Sequence, residues 1–239
     1  MAGSRGTVEG ERPDFETRLR ELKAEGCAVL VVGPGAAAEH AAVCRGLLGD
    51  DAAGPRRRLL AFTEGAEGLD DRVPAAARVG VDTELVTVDA VGARGAAAVA
   101  AGPDGVGDVI DPGEGAVREP TDGSLYALGR ELLAALSALD QRYGPFEPAE
   151  LRFGLDSAVP LLEAHGEAAT FRFLHLLTAL LRRHDALAHV HLPVARDRYA
   201  ARLLAPLFDG VVALRVRDGH AQQRWHLDDG AVTSRWLPL

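Results

Sequence analysis

The stretch that decides the fold class covers residues 27–35 and reads Cys27-Ala28-Val29-Leu30-Val31-Val32-Gly33-Pro34-Gly35. Six apolar residues follow one another without polar alternation, which is typical of a strand buried on both faces of a parallel sheet. The glycines and the proline then end the strand, and residues 36–48 are predicted to form a helix. A strand, a tight turn and a helix in this order indicate an α/β protein.

Outward from this stretch, predicted strands and helices alternate along the chain. Strands are predicted over residues 57–62, 84–88, 151–155, 188–192, 211–217, 222–227 and 233–237. Helices are predicted over residues 14–26, 125–143, 167–184 and 198–208. Residues 92–120 are rich in Gly, Ala, Asp and Pro, and only a short helix near 96–101 and a brief strand at 108–110 are predicted there. The pattern predicts a mainly parallel sheet flanked by helices, with antiparallel strands at its C-terminal edge.

The domain organisation follows from length and composition. A chain of 239 residues with 47% hydrophobic content is long enough for one sizeable core, so we expect a single domain over residues 14–239. Residues 1–13 mix Gly, Ser, Glu and Arg without periodicity, which predicts a disordered tail. The sequence contains neither a secretory signal nor an apolar run long enough to span a bilayer, so we expect a cytoplasmic protein.

The charge pattern limits the partners. The net charge is −9, and Lys23 is the only lysine, so arginine supplies all the other cationic side chains. An acidic chain with few lysines suggests adaptation to a salt-rich cytosol, although a GC-rich genome alone would give a similar arginine and alanine excess. In either case the acidic balance argues against a dedicated nucleic-acid binder.

The turn after the first buried strand occupies the place of a phosphate-binding loop. Such a loop has the pattern G-x-x-x-x-G-K-[ST], in which backbone N–H groups and the lysine bind phosphate and the hydroxyl binds magnesium. Counted from Gly33, the last three positions are Ala38, Glu39 and His40, so a carboxylate replaces the ammonium group and no hydroxyl is present. A carboxylate there would repel phosphate. The simpler interpretation is that Gly33-Pro34-Gly35 is only a tight turn.

A second motif ends the predicted strand 151–155. Asp156 and Ser157 follow this strand directly, where P-loop proteins place an acid that orients magnesium. Arg152 and Gly154 interrupt the apolar run, and an Asp-Ser pair after a strand is also a common helix cap. The motif alone is therefore weak, but its position two strands after the loop strengthens it.

The order of these elements resembles that of the RecA superfamily and, within it, the KaiC-like branch, over about residues 14–239. The resemblance is carried by four segments: CAVLVVGPG at 27–35, AFTEG at 61–65, ELRFGLDS at 150–157 and FDGVVALRVRDGHAQQRWHLDDG at 208–230. The chain is similar to uncharacterised KaiC-like proteins of halophilic archaea with a degenerate nucleotide loop. The resemblance implies a RecA-like fold and side-by-side assembly, and it makes Glu64 the counterpart of an acid that activates the attacking water.

Three histidines and a run of three arginines are further candidate site residues. His189 and His191 alternate on a predicted strand and share one face, and His184 is nearby. No cysteine pair or His-Glu motif stands at ligand spacing, so no metal site is expected. His191 ends its strand and is a candidate pocket residue. The run Arg56-Arg57-Arg58 is interpreted as a solvated turn, in preference to a site for an acidic ligand.

The remaining sequence signals favour structural roles. Cys27 and Cys44 are expected to be small buried side chains without a disulfide, and Trp225 and Trp236 are expected to cover the core. No nucleophile-elbow pattern surrounds Ser157.

The leading hypothesis is a non-catalytic RecA/KaiC-like module that acts through a protein partner or self-association, in signalling or regulation, with no cofactor. The alternative is an ATP-binding or ATP-hydrolysing enzyme with magnesium, in which an arginine such as Arg45 replaces the loop lysine. A third hypothesis is a DNA-binding relative of the recombinases, which the acidic net charge disfavours.

Overall fold

The computed structural model describes residues 15–34, 37–49, 54–63, 69–73, 83–87, 117–118 and 123–239. The helices are α1 (Phe15–Glu25), α2 (Ala37–Leu48), α3 (Leu69–Arg72), α4 (Leu125–Tyr143), α5 (Val159–Arg182) and α6 (Tyr199–Leu204). The strands are β1 (Cys27–Val32), β2 (Arg57–Phe62), β3 (Thr83–Thr87), β4 (Val117–Arg118), β5 (Leu151–Leu155), β6 (Leu187–Leu192), β7 (Gly210–Arg217), β8 (His220–Leu227), β9 (Val232–Thr233) and β10 (Leu237–Pro238).

All ten strands belong to one sheet, with the order β10-β8-β7-β1-β6-β5-β2-β3-β4 and with β9 paired to β8. The neighbouring strands in the part of this order that runs β7-β1-β6-β5-β2-β3-β4 pair in parallel. Strand β8 runs antiparallel to β7, β9 and β10. This confirms the predicted α/β class, the mainly parallel sheet and the antiparallel C-terminal strands.

Strand β1 lies inside the sheet, between β6 and β7, and every one of its residues is buried. Alternate side chains enter two different cores. Ala28, Leu30 and Val32 belong to the core that contains the inner faces of α4 and α5, while Val29 and Val31 pack with Val43 and Leu47 of α2. Full burial of one valine or leucine stabilises the fold by about 1.5–3 kcal/mol, which explains why both faces of this strand are apolar.

The helix predicted to begin at Glu167 begins earlier, at Val159. Pro160 is tolerated in the first turn, where its missing N–H has no intrahelical partner. Gly166 then interrupts the helical backbone with φ 76° and ψ 167°, so that Glu167 is the first residue after the break. Residues 159–165, before the glycine, were therefore not predicted to be helical.

Other differences lie at element ends and in short elements. In place of the predicted strand 233–237 the chain forms two two-residue strands, β9 and β10, which are separated by residues 234–236. The predicted helix 198–208 ends at Leu204 and continues as a 3-10 turn, Ala205–Leu207. Helix α3 and strand β4 were not predicted, because four and two residues are too short to show a period. The predicted tail 1–13, the helix near 96–101 and the strand at 108–110 lie outside the described residues.

Both cysteines are buried and free, as predicted. Among the helices that the structure describes, none has the length and apolar character needed to cross a bilayer.

Candidate functional site

The predicted loop leaves the carboxyl end of β1, at the same edge of the sheet where β5 and β6 end. Gly33 has φ 147°, and a Cβ atom there would lie 2.6 Å from the carbonyl oxygen of Leu214 on β7. Only glycine fits this close approach. In open α/β sheets, ligands bind at this carboxyl edge, which makes it the first place to look for a site.

The loop residues that the structure describes present no cation. Pro34 and Ala38 are exposed, and Glu39 stands half-buried in the first turn of α2. A carboxylate is favourable at a helix N-terminus, because it interacts with the positive end of the helix dipole. Gly35 lies outside the described residues.

His40 is buried beneath the loop and connects it to β6. Its Nε2 lies 3.1 Å from the carbonyl oxygen of Gly33, and its Nδ1 lies 2.9 Å from Nδ1 of His191. A carbonyl only accepts, so Nε2 of His40 donates to it. In a neutral ring the Nδ1 of His40 is then the acceptor, and Nδ1–H of His191 donates to it. This assignment leaves Nε2 of His191 with a free lone pair in the interior.

A second pair of side chains adjoins this one. Cys44 follows His40 by one helical turn on α2, and His189 precedes His191 by two residues on β6. Residues four apart share one face of a helix, and residues two apart share one face of a strand, so each pair lies on one face of its element. The Sγ atom of Cys44 lies 3.3 Å from Nε2 of His189. The sulfur of Cys44 and one ring nitrogen each of His189 and His191 lie within 4.8 Å of one another.

Gly154 of the neighbouring strand β5 makes room for this cluster. A Cβ atom at Gly154 would lie 2.8 Å from Nε2 and 3.0 Å from Cε1 of His189. The glycine that weakened the strand pattern of 151–155 is therefore the residue that admits the imidazole.

Burial determines the protonation of the cluster. Burial lowers the pKa of His189 to about 3 and the pKa of His191 well below its ordinary value. It also lowers the pKa of His40. Burial also raises the pKa of the Cys44 thiol to about 12. At neutral pH the isolated cluster thus consists of three neutral imidazoles and a thiol.

Asp156 lies at the carboxyl end of β5 and is almost fully buried. Its Oδ1 accepts hydrogen bonds from the backbone N–H of Thr63 (2.8 Å), the Thr63 hydroxyl (3.0 Å) and the backbone N–H of Ser157 (2.8 Å). Burial raises the pKa of this carboxyl to about 6, against the opposing effect of these hydrogen bonds. The carboxylate therefore ties the end of β2 to the end of β5.

Arg72 of α3 is the cation that acts on all five ionisable groups of this region. Its charge lowers the pKa values of His40, His189 and His191 and favours the ionised forms of Cys44 and Asp156. Arg45, the cation considered from the sequence, instead donates from Nη1 to the carbonyl oxygen of Asp71.

The structure brings together part of the predicted set. Gly33, His40 and His191 are in contact, and Asp156 acts electrostatically on Cys44 at the same edge. His191, predicted to line a pocket, is completely buried and faces the cluster instead of open solvent. His184 lies at the other end of β6, against Phe146, and Glu64 is outside the described residues.

Cys44 and Arg72 were missed as members of this region. The spacing His40-x-x-x-Cys44 after a strand-ending loop was the available signal for Cys44, since i and i+4 share a helix face. Arg72 gave no signal, because it lies in a four-residue helix.

The arginine run is also not a solvated turn. Arg58 is buried within β2, and Arg57 stacks on Tyr143 at 3.6 Å and pairs with Glu150 at 3.2 Å.

A family model described as a family of unknown function, DUF7504, matches residues 26–214. The matched segment contains β1, the loop, the histidine and cysteine cluster and Asp156. No curated protein matches the chain.

Proposed function

We propose that this protein, which belongs to the DUF7504 family of unknown function, is a non-catalytic RecA/KaiC-like module that acts through protein interaction. The observation that carries the proposal is the position of His40. The residue that stands where a phosphate loop has its magnesium-binding hydroxyl is buried, and its Nε2 donates to the Gly33 carbonyl 3.1 Å away. It therefore faces the protein interior, where it stabilises the turn.

The charge at the loop supports the same proposal. Glu39 stands in the first turn of α2, at the place of the phosphate-binding lysine. Two unit charges of the same sign about 4 Å apart repel by about 4 kcal/mol at an effective dielectric constant near 20. A triphosphate bound against this helix end would meet that repulsion without a compensating lysine.

The state of Asp156 adds further support. A magnesium-orienting carboxylate has to offer oxygen lone pairs to the ion or to its waters. Oδ1 of Asp156 is instead occupied by three donors from Thr63 and Ser157, and burial raises the pKa of the group. These contacts support a structural role at the junction of β2 and β5.

The order of strands supports the RecA-type part of the proposal. Strand β1 carries the loop, β5 carries the acid, and β6 lies between them with all three parallel. Loop and acid thus stand at one edge of the sheet, as the resemblance implies.

An exposed apolar groove supports interaction with protein. Helices α4 and α5 border a cavity of about 450 Å³, and three large apolar side chains at it are exposed: Tyr126 at 80%, Leu176 at 69% and Leu133 at 51%. Apolar side chains gathered in this way are typical of protein-binding surfaces.

Calorimetric titration of ATP and ADP with magnesium, at high potassium chloride, tests the proposal. We expect no binding heat for the wild type. A Glu39→Lys variant measured beside it shows whether restoring the charge alone restores binding. Micromolar binding by the wild type would contradict the non-catalytic assignment.

Sedimentation over a range of concentrations tests the interaction surface. If a second copy of the chain occupies the groove, Leu176→Glu abolishes self-association. The control is Val216→Glu, which places the same charge at a valine of β7 that is 52% exposed and outside the groove. Self-association that persists in Leu176→Glu would exclude the groove as its site.

The second candidate function is that of an ATP-binding enzyme with a non-standard loop, and Arg72 favours it. Its guanidinium acts on Asp156 at the edge where a phosphate would bind, so it could replace the missing lysine. If the wild type binds ATP, Arg72→Gln will weaken that binding at least tenfold under this alternative. An unchanged affinity would exclude Arg72 as the substitute cation.

A further inference from the structure

The cluster of Cys44, His189 and His191 has unused polar atoms in a fully buried place. Both histidines are completely buried, and Nδ1 of His189 and Nε2 of His191 have no hydrogen-bond partner among the described residues. Buried polar atoms are nearly always hydrogen-bonded, because the loss of water otherwise costs about 1–3 kcal/mol each. Nε2 of His191 is thus open to a ligand, while the nitrogen of His189 that faces Cys44 is its Nε2.

The spacing of the atoms fits a small metal ion. Zinc binds sulfur at about 2.3 Å and imidazole nitrogen at about 2.0–2.1 Å, so tetrahedral geometry separates S and N ligands by about 3.6 Å. The observed distance from Sγ of Cys44 to Nε2 of His189 is 3.3 Å, and all three ligand atoms lie within 4.8 Å. Modest side-chain rotation is enough to bring them onto one ion.

His40 supplies the outer contact that metal-binding histidines usually have. A ligating imidazole donates its other N–H to an acceptor that fixes its tautomer and its orientation. Nδ1–H of His191 donates to His40 over 2.9 Å, and His40 is itself held by the Gly33 carbonyl at 3.1 Å. The free Nε2 of His191 is thereby fixed as an available lone pair.

The backbone also prepares the site. Gly154 leaves the volume that the His189 ring fills, since a Cβ atom would lie 2.8 Å from its Nε2. Among the neighbouring charges, Arg72 and Arg45 favour the thiolate form of Cys44, and Asp156 opposes it.

We propose that Cys44, His189 and His191 bind a divalent first-row transition metal ion of the zinc class, with His40 as the residue that positions His191. One thiolate and two imidazoles are a donor set that suits Zn²⁺ and Co²⁺. On binding, the S–H bond of Cys44 breaks, the sulfur keeps the electron pair and coordinates the ion, and the proton leaves to solvent.

Cobalt substitution tests the proposal, because thiolate-bound Co²⁺ gives a charge-transfer band that imidazole or carboxylate ligands do not give. The protein is expressed in cobalt-supplemented minimal medium, so that the buried site is filled during folding. We expect about one bound ion per chain, a thiolate-to-cobalt band, and loss of the band on exchange with Zn²⁺.

The second cysteine provides the matched control. Cys27 lies on β1 and is buried, but it is outside the cluster. Cys27→Ser should keep the full band, whereas Cys44→Ser should lose it, and His191→Gln should lose at least nine tenths of the bound cobalt. If Cys44→Ser does not fold, Cys27→Ser still decides the question, because Cys44 is then the only cysteine in the chain.

Three results would overturn the proposal: wild type without a thiolate band, a band that Cys44→Ser retains, or a band that Cys27→Ser removes. His40→Ala is the test for the positioning role. It should leave the thiolate band in place but weaken cobalt affinity by about 10–100-fold, and unchanged affinity would remove His40 from the site.

Discussion

The two ends of helix α2 lie at opposite ends of the parallel strands, and buried polar groups are arranged differently there. Its C-terminal end lies near the start of β5, and its N-terminal end lies near the carboxyl end of β6. At its C-terminal end, Arg152 donates to the Leu47 carbonyl at 3.2 Å and Arg58 donates to the Gly49 carbonyl at 2.8 Å. At its N-terminal end, His40 and Cys44 meet His189 and His191 of β6.

The first end is electrostatically complementary. The last carbonyls of a helix have no intrahelical partner and carry partial negative charge, so buried guanidinium groups stabilise them. Burial and the neighbouring Arg56 lower the pKa of Arg152 to about 10, which leaves it charged at neutral pH. The arginines of this edge are therefore parts of the fold.

The second end is not complementary within the described residues. It gathers three histidines and a cysteine, and two imidazole nitrogens are left without partners. The comparison teaches that buried polarity by itself does not identify a site. What separates the two ends is the kind of buried group: guanidinium groups donate to helix carbonyls at one end, whereas imidazole nitrogens and a thiol, which suit a metal ion, meet at the other.

Arg58→Ala should have the largest effect on stability. The side chain is 1% exposed, and its removal leaves a cavity and an unpaired Gly49 carbonyl. We expect the free energy of unfolding in urea to fall by about 3–4 kcal/mol. Arg217→Ala is the control and should cost less than about 1 kcal/mol, because its side chain is 66% exposed and its ion pair with Asp218 lies on the surface.

If Arg58→Ala lowers the free energy of unfolding by less than about 1 kcal/mol, the structural role of Arg58 and Arg152 at the C-terminal end of α2 is contradicted. It would make those arginines candidates for an anion site instead.

Asp156 should give the next largest effect, through the pH dependence of stability. Its pKa is raised from 3.8 to about 6, so the folded state binds more protons than the unfolded state between these values. The free energy of unfolding contributed by this group is therefore highest below pH 4 and falls as the pH rises to about 6, by up to about 3 kcal/mol.

Other groups titrate over the same pH range, so the Asp156→Asn variant is needed to isolate the contribution of Asp156 to the free energy of unfolding. The difference in unfolding free energy between wild type and variant, measured in urea with chelator present, should change by about 2–3 kcal/mol between pH 4 and pH 7. A difference that does not vary with pH would show that the carboxyl group is not desolvated, and would reopen a magnesium-binding role for it.

The sequence predicted the framework well, because the framework rests on local patterns. The run Cys27–Val32 is continuously apolar and ends in turn residues, and the Leu repeat of α4 recurs every three to four residues, so local sequence was enough to predict a buried strand and an amphipathic helix. The break at Gly166 was not predicted, because one glycine inside a helical pattern is usually tolerated.

The site was predicted only in part, because its members come together through tertiary packing. His189 and His191 showed a shared face, but their contact with His40 and Cys44 depends on how α2 lies on β6. Gly154 was interpreted as an imperfection of a strand. Its role becomes visible only beside the His189 ring of the neighbouring strand.

Gly154→Ala should have the smallest effect of the three on stability and the clearest effect on the site. The added methyl group would lie 2.8 Å from Nε2 of His189, so the ring has to move, at a cost of about 1–3 kcal/mol in unfolding free energy. The same substitution at Gly129, in the second turn of α4, is the control, because its Cβ atom would lie 3.6 Å from the Phe173 side chain, an ordinary contact. Gly129→Ala should stabilise the protein by up to about 1 kcal/mol. In cobalt-loaded protein, Gly154→Ala should weaken the thiolate-to-cobalt band while Gly129→Ala leaves it unchanged, because only the first displaces a ligand. A full band in Gly154→Ala would mean that His189 is not bound to the ion, and it would leave the two ends of α2 alike.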